Sequence, residues 1–91
     1  MKDETIKHLY LLLNNEKALE AKELFNSIPD EDTLDYHLLQ GKIAQKFQQW
    51  SGALNAYHRV LDLDPNNVEA ENNMRLIQNI LNFWNPEMFN P

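Results

Sequence analysis

The chain has 91 residues, no cysteine, and fourteen acidic against eight basic residues, for a net charge of −6. Without cysteine there are no disulfides and no thiolate metal sites, and the acidic balance argues against DNA, RNA or an anionic membrane as the main partner. No apolar run approaches the ~20 residues of a membrane span and no secretory leader opens the chain, so a single small cytoplasmic domain is expected.

Helical spacing of apolar residues predicts five helices. Ile6, Leu9, Leu12 and Leu13 mark the first, over 3–14, with Asp3 and Glu4 suited to the positive end of its dipole. Asn14–Asn15 reads as a turn, with Asn14 as the cap of a second helix over 16–27. Pro29-Asp-Glu-Asp-Thr is a loop, from which Asp30 or Asp32 is placed to cap a third helix over 33–47. Gln48–Gln49 turns the chain into a fourth helix over 50–63, which ends there because Asp64 precedes Pro65. Asn66 with Glu69 reads as a capping box for a fifth helix over 68–84. That helix carries Ala70, Met74, Ile77, Leu81 and Trp84 on one stripe, widened by Leu76, Ile80 and Phe83. Pro86 stops it, and the tail 85–91 carries Met88 and Phe89, which either fold back on the helices or engage another surface.

A glycine in the middle of the third helix costs about 1 kcal/mol relative to alanine, so Gly41 implies a neighbour too close for a Cβ. The spacing from Gly41 to Ala53, then Tyr57, then Pro65 resembles the tetratricopeptide repeat, a 34-residue helical hairpin. A second, degenerate copy precedes it. Ala18, Leu19 and Ala21 stand thirty-five positions before Ala53, Leu54 and Ala56, which sets Ile6 against Gly41 and Lys22 against Tyr57. The other register sets Ala21 on Ala53 and Phe25 on Tyr57; the AL-x-A string favours the first. The resemblance implies an all-α, right-handed α-solenoid of two hairpins (repeats of about 2–33 and 34–67) closed by a capping helix over 68–84 with a polar outer face. The sequence departs from the family pattern at His37, Gln40, Ala44 and Gln48.

For chemistry the chain offers little. Glu4–His8 and His58–Asp62 are i,i+4 pairs that suit surface salt bridges. No two histidines have zinc spacing and the two glycines cannot form a phosphate loop. No enzyme, no catalytic residue, no metal and no cofactor is therefore expected; a hydrolase using one of the histidine pairs as base is a remote reading. The resemblance implies instead a concave groove lined by the first helices of successive repeats, which receives a peptide or helix of a partner protein. By position its contacts would be Asp3, Lys7 and Tyr10, then Asp35, Leu38, Lys42, Gln45 and Lys46, then Glu69, Asn72, Leu76 and Asn79. Lys42 and Lys46, one turn apart, would make a basic spot for a carboxylate. The carboxylate clamp that some family members use for chaperone tails does not fit, since the matching positions hold Asp3, Lys7, Leu39, Glu69 and Asn73. A second expectation is an assembly protein, a weak homodimer formed through Phe83, Trp84, Met88 and Phe89.

Overall fold

A computed structural model describes residues 1–84, and among them every regular element is a helix. The five are α1 (Asp3–Asn14), α2 (Ala18–Asn26), α3 (Leu34–Lys46), α4 (Trp50–Leu63) and α5 (Val68–Trp84). Each packs on the next in the chain, and α1 also touches α3. Their buried residues gather in two clusters, with α3 as the wall between them. Tyr36, Leu39 and Ile43 of α3 join Leu9, Leu12, Leu13, Ala21 and Phe25 on one side. Leu38 of α3 joins Ala53, Tyr57, Val60, Ala70, Met74 and Ile77 on the other.

The caps differ from those expected. Neither Asp30 nor Asp32 caps α3; the Thr33 hydroxyl accepts from the Tyr36 amide instead, at 3.3 Å. Asn67, not Asn66, caps α5, its Oδ1 accepting from Ala70 N at 2.9 Å. Asn66 is used one step earlier, where its amide donates to Asp64 Oδ1 in the turn through Pro65. Asn14 ends as the last residue of α1, and α2 begins without a side-chain cap.

The register between the two hairpins is also different. Glu16 and Gln48 are the non-glycine residues with positive φ among those described, 62° and 57°. Each sits in the three-residue turn of its hairpin and makes the same pair of bonds. Lys17 N donates to Leu12 O at 2.8 Å and Glu16 N to Leu13 O at 3.3 Å; Gln49 N donates to Ala44 O at 2.9 Å and Gln48 N to Gln45 O at 3.1 Å. This is the Schellman closure, here built on residues other than glycine. The two turns stand thirty-two positions apart, so Ala21 corresponds to Ala53, Phe25 to Tyr57 and Leu9 to Gly41. The thirty-five-residue register is thereby overturned. Its AL-x-A string matched letters, whereas the backbone aligns by where the helices stop. Lys22, set against Tyr57 in that register, lies half-buried with its ammonium 4.5 Å from the Phe47 ring centre.

Gly41 has the close neighbour its cost implied. A Cβ there would lie 2.6 Å from Cε1 and 2.9 Å from Cδ1 and Cζ of Tyr57. The ring is fully buried and cannot yield, because its hydroxyl is held on both sides. It donates to Gln45 Oε1 at 2.7 Å and accepts from Asn73 Nδ2 at 3.2 Å. In the first hairpin the bulk is divided the other way, with Leu9 opposite Phe25 in one cluster; the Phe25 ring continues onto Tyr36 at 4.7 Å.

The loop between α2 and α3 is pinned by side chains. Tyr36 OH donates to Asp30 Oδ1 at 2.8 Å. Arg59 of α4 grips the Asp32 carboxylate with two nitrogens, Nε at 2.7 Å from Oδ1 and Nη2 on Oδ2, while His37 Nε2 lies 2.8 Å from Oδ1. Arg59, then His37, hold the Asp32 carboxyl far below the usual carboxylate range. The expected i,i+4 pairs do not form among the described residues: Asp62 sits 3.6 Å from Arg59 rather than on His58.

The two glycines should respond to alanine with opposite signs. Gly52, in α4, has nothing within 4 Å of a built Cβ, so Gly52→Ala gains helix propensity and should raise stability by up to about 1 kcal/mol. Gly41→Ala gains the same propensity but overpacks a fixed ring at a cost of about 1–3 kcal/mol, for a net loss of up to about 2 kcal/mol. Urea melts of both variants measure this; a stabilised Gly41→Ala would show that the Tyr57 ring can move.

Candidate functional site

The face shared by α1, α3 and α5 holds a polar cluster and an open cleft. Lys42, in the middle of α3, donates to both oxygens of Glu69 in α5, at 3.3 and 3.1 Å. Its ammonium also lies 5.2 Å from the ring centre of Tyr10 in α1. One lysine thus joins three helices. Beside it is a cleft of about 450 Å³ lined by Lys42, Gln45, Lys46, Gln48, Trp50, Glu69 and Asn73.

Local sequence explains why these groups meet. Lys42, Gln45 and Lys46 lie three and four apart on α3 and so share one face. Glu69 and Asn73, four apart in the first turns of α5, face them because Asn67 starts that helix at Val68. Trp50 opens α4, half-buried, packing on the second core and lining the cleft as well.

The structure sorts the groove residues that the resemblance pointed to. Tyr10, Lys42 and Gln45 come together here, half-buried, with Lys46 exposed beside them. Lys7 is exposed on α1, and Asn72, Leu76 and Asn79 are exposed on α5, Leu76 at 50%. Leu38 is different: it is 8% exposed and belongs to the second core, so it offers almost no surface to a partner. The basic spot is corrected too. Lys42 is neutralised by Glu69, which leaves Lys46 as the exposed cation of that pair. Phe83 is 78% exposed on α5; the Trp84 side chain, Met88 and Phe89 lie outside the described residues.

Glu69 was expected at the groove and lines the cleft, whereas Asn73, Gln48 and Trp50 were not among the expected contacts. Asn73 lines the cleft and is held there by its bond to the Tyr57 hydroxyl, a contact between residues sixteen apart in sequence on α5 and α4 that spacing along one helix does not expose.

Burial sets the titration of the tyrosines. It pushes Tyr10 up to about 12, with Glu69 and Asp35 adding to the rise. Tyr36 is likewise pushed up to about 12, by burial and by its bond to Asp30. Tyr57 is raised further by burial. Among the described residues no three His, Asp or Glu side chains gather as a metal site, and no helix is long and apolar enough to cross a membrane.

Compared with known protein families, with characterised proteins and with solved structures, the chain matches none.

All three tyrosines of the chain are therefore held above their unfolded value of about 10. A raised folded pKa contributes stability that is complete below pH 10 and is lost as pH rises through the folded value. Phenolate absorbance of the native chain should stay flat through pH 10 and rise with unfolding near pH 12, whereas in denaturant all three titrate near 10. A one-tyrosine step at pH 10 in the folded chain would contradict the burial of these rings.

Proposed function

We propose that the chain is a small helical-repeat module of the tetratricopeptide type, a right-handed solenoid of two hairpins and a capping helix. In this reading it binds an extended segment of a partner protein along the face of α1, α3 and α5, without catalysis and without a cofactor. The observation that supports this most is the open cleft between α3 and α5, whose walls are side chains held by bonds to other helices rather than free to collapse. Two further observations agree with it. The hairpins close with the same turn twice, and α5 buries Ala70, Met74 and Ile77 against α4 while Glu71, Arg75 and Gln78 face outward. With Lys42 committed to Glu69, affinity comes from the amides, from Lys46, and from apolar anchors such as Leu76 and Trp50.

The experiment uses peptides selected from a random display library on the immobilised full chain. Bound peptide should shift backbone NMR signals of α1, α3 and α5. The double variant Lys46→Glu, Leu76→Asp should keep its helical circular dichroism and lose roughly tenfold or more in affinity. Shifts confined to α2 and α4, or an unchanged affinity, would exclude this face.

A second reading is a homodimer through the end of α5. It is favoured by Leu76 and Phe83, 50% and 78% exposed and seven residues apart on that helix. By light scattering at high concentration the full chain would then have twice its 10.7 kDa mass, and a chain ending at Asn82 would revert to monomer. A monomeric full chain ends this reading.

A further inference from the structure

We infer that Tyr57, although buried beneath the cleft, sets what the cleft recognises: a main-chain peptide unit, gripped by Gln45 and Asn73. The inference rests on the peptide-binding reading above and names the ligand chemistry of the same site.

The argument is one of hydrogen-bond polarity. A tyrosine hydroxyl has a single proton. It is spent on Gln45 Oε1 at 2.7 Å, so the bond to Asn73 must run the other way, from Nδ2 to the hydroxyl oxygen at 3.2 Å. This leaves the NH2 of Gln45 and the Oδ1 of Asn73 without a partner among the described residues. No side-chain nitrogen or oxygen there is buried unpaired, so both ends are open to solvent, and both residues line the cleft. The cleft therefore presents a donor group on Gln45 and an acceptor on Asn73, anchored to α3 and α5 and oriented by the same hydroxyl. If both amides were turned over, the hydroxyl would still leave one donor and one acceptor facing outward.

A peptide residue carries the complementary set, one C=O and one N–H. The Gln45 amide donates to the ligand carbonyl and the Asn73 carbonyl accepts from the ligand N–H. A carboxylate, with acceptors only, would leave Asn73 Oδ1 unused, and an ammonium, with donors only, would leave the Gln45 N–H groups unused. Main-chain recognition gives affinity without sequence preference, as in strand addition to a sheet edge; side-chain preference then falls to Lys46 and Trp50, which line the same cleft. Tyr57 acts here as a positioning residue, since it touches no ligand.

The test uses a peptide selected on the full chain as above and a scan that methylates its backbone nitrogens one at a time, with binding followed by calorimetry. One position should be sensitive, losing about threefold to tenfold in affinity as a single hydrogen bond disappears. In Asn73→Leu that penalty should vanish, because the acceptor is gone. In Tyr57→Phe it should shrink, because the amides are no longer oriented, and a Tyr57 that served packing alone would lower the melting temperature and leave the scan unchanged. A peptide that binds with no sensitive position, or a penalty undiminished in Asn73→Leu, overturns main-chain gripping while the binding face stands. Failure to select any peptide overturns the binding reading and this inference with it.

Discussion

The arrangement of α3, α4 and α5 depends on one ring filling one absence. Tyr57 occupies the space beside Gly41 so closely that a methyl group there would overlap three of its ring carbons. The hydroxyl then reaches past α3's glycine turn to Gln45 and across to Asn73 on α5. A ring alone would let two helices slide along each other; a hydroxyl held from both sides does not. Burying an aromatic side chain is worth a few kcal/mol, but its larger contribution here is geometric, because it sets the spacing of three helices at one point.

The first hairpin reaches a similar outline without that device. Leu9 and Phe25 occupy the positions of Gly41 and Tyr57, so the bulk is shared between the helices rather than given to one. The two halves are then joined by α3, which turns Leu39 and Ile43 to one core and Leu38 to the other. The α2–α3 loop adds a second link through Arg59 and Asp32, which run from the loop to α4. That ion pair is well exposed, and such pairs contribute little energy. Its effect is to hold the acidic end of the α2–α3 loop, Asp30, Glu31 and Asp32, in one conformation beside the helix that carries Tyr57.

Electrostatics shape the candidate site by cancellation. In a chain of net charge −6, two lysines one turn apart look like a place for an acid. Folding supplies that acid internally: Glu69 takes Lys42, and the tyrosine face of Tyr10 lies alongside. The cleft that results is lined by three amides (Gln45, Gln48 and Asn73), Trp50 and the paired Lys42 and Glu69, with Lys46 as its exposed lysine. Its chemistry is directional hydrogen bonding more than charge, which suits a ligand recognised by its backbone.

Much of the secondary structure was determined by the amino-acid order alone. Apolar spacing located all five helices to within two residues at each end, and Pro65 ended α4 at Leu63 through the restriction it places on Asp64. Gly41 announced a close neighbour because a glycine inside a helix is costly unless something occupies the vacancy. What the sequence could not decide were the properties that belong to pairs of helices. The turn register was hidden because Glu16 and Gln48 adopt the left-handed conformation where glycine would have marked it. The pairing of Lys42 with Glu69, the burial of Leu38 and the polarity of the cleft all depend on which helix lies opposite. That is decided by long-range packing, whereas periodicity along the chain reports only which residues share a face.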